Sequence, residues 1–544
     1  MNIADLLVKR AFEHPDKIAI KAPLKRNSDG SYNYESRTFK ELLDITRSLA
    51  SGFTSQGLKT GDKAIVFIRP GLDFPAVTFA LFSLGIIPVF IDPGMGKENL
   101  LRAIKHVRPT ALIAVPVVHF LRLFKRDAFS TVKHFITTGP IKWGSMKSLN
   151  DFKKLAAKEV HTTIDENSLA AILFTSGGTG IPKGVEYTHR IFSKQTELLQ
   201  EMFSLTSEDI DVPGFPLFAL FTIAMGMTSC IPDMDPSKPS KASAENLIQG
   251  IKDNKATFVA GSPAIWDKVG SYCRENEITL PSVKHLVMFG APVSKEIHQD
   301  FSKVLINGTT YTPYGATESL PVANISGKYL LAHTVDKTSI GYGTCVGKPA
   351  PSMEIKIISI TDEVVKNVES MRILSTGEIG EIIVKGETVT KSYYDMPQKT
   401  AESKIYDIDG SLWHRIGDIG YLDEEGYLWF CGRKSHRIDT KDKLISTIPC
   451  EAIFNEHNEV SKSAVVGVYR GQSYQTPELV VQLKDSRKKN SRMREELLKM
   501  ASLHEHTKEI KKVWFHSNFP VDVRHNIKID RLKLRDLAEQ GLLE

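Results

Sequence analysis

Short apolar runs alternate with longer amphipathic runs along most of this chain, and that alternation constrains its fold more than any other feature. Phe39 to Phe53 has helical spacing, Lys63-Ala64-Ile65-Val66-Phe67-Ile68 reads as a buried strand, Leu100 to His106 is helical again, and Ala111-Leu112-Ile113-Ala114-Val115 is a further strand. That order predicts an α/β architecture in which helices cover a largely parallel sheet. The most apolar stretch, Phe74 to Ile91, contains Pro75 and Pro88 and closes on Asp92-Pro93-Gly94. It is short for a membrane span, which takes about 20 apolar residues. It reads instead as a buried helix, Ala76 to Leu84, followed by a buried strand, Ile86 to Ile91. No transmembrane segment is expected.

A chain of 544 residues exceeds what one core supports, so at least two domains are expected. Near residue 340 the texture changes. Glu354 to Ile360 and Gly380 to Val384 are strands, and Tyr421 to Phe430 is a hairpin around Asp423-Glu424-Glu425-Gly426. The C-terminal part combines short strands, Ser463 to Val468 and Leu479 to Leu483, with two helical segments, which suggests a small α+β domain. A net charge of +6 gives no case for nucleic-acid binding and does not oppose an anionic substrate. The five cysteines are scattered without a CxxC pair, so no zinc site or disulfide framework is expected and a reducing cytoplasm fits. Met1 to Ile20 lacks the continuous apolar segment of a signal peptide. The basic run Arg487-Lys488-Lys489 reads as a solvated helix start.

The strongest local signal is Thr175-Ser176-Gly177-Gly178-Thr179-Gly180-Ile181-Pro182-Lys183-Gly184, which follows an apolar strand, Ala170 to Phe174. Its glycines let backbone approach a ligand closely, and its amides, hydroxyls and Lys183 supply donors for an anion. It is not a Walker A loop, because Lys183 is followed by Gly184 rather than Ser or Thr.

This loop resembles the phosphate-binding signature of the adenylate-forming superfamily of acyl-CoA synthetases, adenylation domains and luciferases. Further matches follow in order. Phe289-Gly290-Ala291-Pro292 resembles the family's adenine-side turn, and Tyr314-Gly315-Ala316-Thr317-Glu318 its adenine and metal motif. Gly377-Glu378-Ile379-Gly380-Glu381 is similar to its Gly-Glu strand motif, Gly417-Asp418 and Gly432-Arg433 to its ribose-binding pair, and Lys528 to its C-terminal catalytic lysine. The resemblance implies a large N-terminal domain, 1–432, of helix-flanked sheets with a small β-barrel-like part, which binds ATP and acyl group. It implies a small, mobile α+β domain, 433–544, that carries Lys528.

The resemblance gives each residue a role that its chemistry suits. Glu318 would hold Mg²⁺, a hard cation that prefers carboxylate and phosphate oxygens. Asp418, read as lying just before a hairpin strand, would accept the ribose hydroxyls, with Arg433 beside ribose or phosphate. Lys528 would neutralise charge as a carboxylate attacks the α-phosphate.

Departures from common members narrow the expectation. Asp439 to Ala452 has no glycine where acyl-CoA ligases have a Gly-rich segment, the hinge position is His436, Ile527 precedes the catalytic lysine, and Phe218-Ala219 replaces an aromatic–His pair. Phe215 to Phe221, Ile231 to Pro236, Thr312 to Glu318, Gly343 to Gly347, Trp429 to Lys434 and Phe519 to Asn526 are similar to the olefin-biosynthesis β-lactone synthetases. That likeness implies a long-chain β-hydroxy acid as substrate, adenylated and then closed by its own hydroxyl, a nucleophile of high effective molarity. Phe215, Phe218, Phe221 and Met225 are candidate acyl-lining residues, or ordinary core. His189 reads as structural, with Thr188 as a helix cap, and Asp233 and Asp235 are open candidates for a general base. An acyl-CoA or acyl-carrier ligase and an inert scaffold in a multi-enzyme assembly are the alternatives. Association with other enzymes of a hydrocarbon or lipid pathway is a further expectation.

Overall fold

The structure, a computed structural model, describes residues 2–159, 162–175, 182–522 and 527–544, with Thr175 described by its backbone alone. The apolar runs form the parallel strands expected of them. In one seven-stranded sheet the order is Lys147–Ser148, His134–Thr137, Ala111–Ala114, Lys63–Phe67, Ile87–Ile91, Leu169–Thr175, Lys183–Thr188. Only the last pair is antiparallel, with Lys183 opposite Thr175. The helix before Ile87–Ile91 is Asp73–Ser83, buried from Phe74 to Phe82. It starts earlier than expected because Pro75 sits in its first turn, where proline loses no hydrogen bond. Asp73 at its start is held by Arg37 at 3.0 Å and Lys153 at 2.6 Å. Phe39–Ser55 begins with reciprocal capping by Thr38 and Glu41.

The second seven-stranded sheet runs Thr309–Tyr311, His285–Met288, Phe258–Gly261, Ile210–Pro213, Thr228–Cys230, Ile18–Arg26, Tyr32–Thr38, again parallel except at its last pair. Helices Pro263–Glu275 and Lys295–Val304 cover it through Trp266, Val269 and Phe301.

The remaining N-terminal strands form an antiparallel, eight-stranded sheet. Its order is Tyr314–Ala316, Ser319–Asn324, Thr344–Pro349, Leu428–Arg433, Leu412–Leu422, Gly380–Lys385, Glu354–Ile358, and Lys404–Tyr406 pairs with Leu412–Leu422. The expected hairpin is present. The Asp423 carboxylate fixes its turn by accepting the Glu425 and Tyr427 amides and the Trp429 indole N–H.

Beyond Arg433 the strands belong to separate small sheets. Ile438–Asp439 pairs with Leu444–Ile445, and Val460–Val468, Thr476–Leu483 and Val513–Phe515 form a three-stranded sheet. Among the described residues three α-helices pack here rather than two: Thr447–Asn455, Ser491–Ser502 and Arg531–Glu539. Thr447–Asn455 is buried on most sides and so carries no amphipathic stripe in the sequence. The basic run behaves as expected, with Arg487 on the surface beside the Asp485 carboxylate at 2.8 Å. All five cysteines are buried and unpaired. Among the described residues no helix is long and apolar enough to cross a membrane.

Candidate active site

In open α/β sheets ligands gather outside the carboxyl ends of the parallel strands, and the motifs do so here. Ile210–Pro213 leads to Gly214-Phe215, His285–Met288 to Phe289-Gly290-Ala291-Pro292, and Thr309–Tyr311 to Tyr314. Gly290 turns in the left-handed region at φ 94°, and Gly290 and Pro292 are exposed at this edge with Ala291 half-buried between them. Phe289 links that turn to the expected acyl-lining residues. It stacks on Phe218 with ring centroids 4.9 Å apart and meets Phe215 edge-on at 6.1 Å. Phe221 lies 5.9 Å from Phe218. Met225 is packed as core beside them.

Tyr314–Ala316 and Ser319–Asn324 form a hairpin in which Ala316 faces Ser319, so Thr317 and Glu318 are its two turn residues. Three groups clamp the turn. The Tyr187 hydroxyl donates to the Thr317 carbonyl at 2.5 Å, the Thr390 amide to the Glu318 carbonyl at 2.9 Å, and the Tyr393 hydroxyl to Glu318 Oε1 at 2.6 Å. Tyr187 lies on Lys183–Thr188, the strand that leaves the glycine-rich loop, so the loop's exit is tied to the Glu318 turn. Among the described residues no three His, Cys, Asp or Glu side chains come together as a metal cage. A single carboxylate such as Glu318 is nonetheless a donor that Mg²⁺ takes when phosphate and water supply the rest.

Asp418 lies inside Leu412–Leu422, not before a strand as its turn-like Gly417-Asp418 context suggested. In the antiparallel register it faces Arg433. The Tyr314 hydroxyl donates to Oδ2 at 2.5 Å and Arg433 Nη1 lies 2.9 Å from Oδ1. Among the described residues this ion pair is what meets Oδ1, in a residue only 3% exposed. Each carboxylate oxygen can accept more than one hydrogen bond, so ribose hydroxyls could still donate here. Burial pushes the Asp418 carboxyl up, against the pull of Arg433, Tyr314 and Lys528. The exposed Lys528 therefore has its charge within electrostatic range of Asp418. Its backbone is fixed by Asp522, whose carboxylate accepts the Lys528 amide at 2.8 Å and whose amide donates to the Lys528 carbonyl at 3.0 Å.

The strand bearing Asp418 is anchored by a fully buried ion pair. Arg415 forks onto Glu381 at 2.9 and 2.7 Å, and Lys434, one residue past Arg433, reaches the same carboxylate at 3.2 Å. Glu381 of the Gly-Glu motif thus acts through this strand and not on a ligand. His436 lies among burial, Arg531 and Arg433, which together bring it down to about 4 and keep it neutral.

Three residues of the site gave no sequence signal. Lys404 is 3% exposed, and its ammonium donates to Thr390 Oγ1 at 3.3 Å. Burial lowers it to about 7, opposed by Glu318. His414, opposite Lys404 in the strand register, is held well below its usual value by burial and then by Lys404, with a further push from Lys183. Tyr393 carries Lys183 Nζ 5.1 Å from its ring centre. Lys183 thus supplies the cation on this side of Glu318, with Lys404 losing its proton near pH 7 and His414 neutral beside it.

Other expected residues stand apart. His189 is fully buried under the N-terminal helix and accepts the Ile3 amide, as a structural histidine. Thr188 caps the next helix through the Ile191 amide. Asp233 accepts from Tyr32 and Asn246, and Asp235 from Ser237, each in a local network of its own. Ser176, Gly177, Gly178, Thr179 and Gly180 lie outside the described residues.

Residues 7–394 match the AMP-binding enzyme family. The sequence is 39% identical to an olefin beta-lactone synthetase of Xanthomonas campestris pv. campestris over 99% of this chain and 98% of that one. It is 38% identical to another of Stenotrophomonas maltophilia over the same shares. A long-chain-fatty-acid–CoA ligase of Bacillus subtilis is 26% identical over 87% of this chain and 84% of its own. Two solved structures share the fold. The amide bond synthetase McbA from Marinactinospora thermotolerans has a TM-score of 0.79 at 21% identity and covers 98% of this chain and 99% of its own. The O-succinylbenzoate coenzyme A synthetase of Bacillus subtilis, in complex with ATP and magnesium ion, has a TM-score of 0.75 at 21% identity over 97% and 99%.

Proposed function

The chain belongs to the AMP-binding enzyme family, and on that premise we propose that it activates a long-chain β-hydroxy acid with ATP and closes the product to a β-lactone. The observation that carries this reading is the end-to-end identity of 38–39% to two olefin beta-lactone synthetases. The site's chemistry supports it. Asp418 offers a buried carboxylate for ribose, Gly290-Ala291-Pro292 a partly exposed turn for adenine, and Lys183 stands at the exit of a glycine-rich loop suited to phosphates.

In the first step a carboxylate oxygen bonds to the α-phosphorus and pyrophosphate leaves with the bridging oxygen. Lys528 neutralises the charge that two anions bring together, and Lys183 offsets that of the departing pyrophosphate. Glu318, oriented by Tyr393, would hold Mg²⁺, which when bound supplies charge neutralisation at the phosphates. In the second step the substrate's β-hydroxyl oxygen bonds to the acyl carbon, AMP leaves, and the hydroxyl proton is released. Tethering of that nucleophile makes an external thiol unnecessary. The glycine-free stretch after Arg433 forms the Ile438–Asp439/Leu444–Ile445 hairpin and the start of a helix. Phe215, Phe218 and Phe221 would border the acyl chain. The reading divides the chain at 432/433, assigns it to the cytoplasm, which five unpaired cysteines suit, and includes association with other enzymes of lipid metabolism.

Pyrophosphate release tests it. Without CoA, a long-chain β-hydroxy acid should support many turnovers, whereas the same acid lacking the hydroxyl should give one equivalent per enzyme and stop at the adenylate. Equal turnover of both acids would overturn the proposal.

A further inference from the structure

The helix Pro116–Phe124 is inverted in polarity. Surface helices bury their apolar stripe and expose their polar one. Here His119 is fully buried with Nε2 3.0 Å from the Ile136 carbonyl, and the Arg122 guanidinium lies 3.5 Å over the Phe135 ring. Facing outward are Val117 at 69%, Phe120 at 57% and Phe124 at 69% exposure, with Leu123 at 43% beside them. Phe120 and Phe124 pack edge-to-face at 5.1 Å, so the outward rings form one patch. The loop after His134–Thr137 lies against the helix start, with Trp143 6.5 Å from His119, and adds the exposed Ile141. Contiguous apolar surface of this kind marks an interaction face.

Charge selects the partner. Residues 116–148 hold six lysines and arginines and a single acidic residue, Asp127, a net +5 against +6 for the entire chain. Lys125, Arg126 and Lys133 are exposed around the helix end, and Asp127 is already paired with Lys105 at 2.8 Å. Lys142 is engaged by Asp151, which leaves the basic character at the helix end intact. Outward aromatics flanked by unneutralised cations match an acyl–headgroup boundary bearing negative charge. We propose that the outward face of Pro116–Phe124 docks this protein on the surface of an anionic lipid bilayer.

The test uses the full chain without ATP or acid, so its outcome is independent of the proposed reaction. The protein is centrifuged with phosphatidylcholine vesicles and with the same vesicles containing phosphatidylglycerol. It should pellet with the second and at least about tenfold less with the first. Phe120→Ser/Phe124→Ser should lower partitioning by about tenfold or more, and Lys125→Glu/Arg126→Glu should remove the preference for phosphatidylglycerol. All four positions are exposed, and unchanged circular dichroism and pyrophosphate release would confirm that the variants fold. No pelleting of the parent, or equal pelleting of parent and serine variant, overturns the proposal. So does a parent dimer in sedimentation velocity that the serine variant dissociates, because the face would then belong to a second copy.

Discussion

Replacing Asp418 with Asn isolates the ribose contact. The side chain keeps its volume and loses its charge, while Tyr314 and the half-exposed Arg433 stay in place. Electrostatics alone predicts tighter nucleotide binding, since Arg433, 2.9 Å away, would be freed to attract a triphosphate. Loss of a charged acceptor for the ribose hydroxyls predicts the opposite. A hydrogen bond to a charged group contributes about 1.5–3 kcal/mol, so ATP affinity should fall about 10- to 150-fold. Calorimetric titration with ATP and with 2′,3′-dideoxy-ATP assigns the cause. The parent should prefer ATP by a factor of that size, and the variant should bind the two alike. A variant that binds ATP as tightly as the parent, or a parent indifferent to the ribose hydroxyls, would refute the reasoning.

Lys528→Ala should lower adenylate formation by about 100-fold or more while ATP affinity in the same calorimetric assay changes little; normal pyrophosphate release would remove its assigned role. Lys404, brought from an ordinary 10.5 to about 7 by burial, is neutral in the folded state above pH 7 while the unfolded chain still holds the proton, so stability should rise with pH through that window. Lys404→Met should be the more stable protein at pH 7 and lack that rise; parallel urea-unfolding curves for the two proteins across this range would contradict the assignment. Glu381→Gln breaks a fully buried pair and leaves Arg415 and Lys434 without their carboxylate, at a cost of about 3–5 kcal/mol. Chemical unfolding followed by tryptophan fluorescence measures it, and a loss below about 1 kcal/mol would show that the anchor is dispensable.

The sheets were legible because their strands are apolar on both faces, as in Ile65-Val66 and Leu112-Ile113, and little else in a chain reads that way. Boundaries slipped where a local rule outweighed the pattern, as Pro75 does at the start of Asp73–Ser83. The site's motif residues were found by their order along the chain, but their partners were not. Tyr393 meets Glu318 across 75 residues and Lys404 meets Thr390 across 14, contacts made between turns, loops and a strand start that leave no spacing to read. Asp418 was misplaced because glycine before aspartate favours a turn; Gly417 does take a φ of 80° and the register shifts between Ile419 and Gly420, yet the strand continues and Asp418 faces Arg433. The reversed helix Pro116–Phe124 was invisible in the same way, since an apolar stripe does not say whether it faces inward.

The most direct test of the central claim is the lipid product itself. Purified protein, ATP, Mg²⁺ and a long-chain β-hydroxy acid are incubated with and without CoA, and the extracted lipid is examined by NMR. A β-lactone formed in both samples at equal rate, with AMP, is the predicted result. A CoA thioester formed only when CoA is present would contradict it and return the chain to the ordinary acyl-CoA ligases.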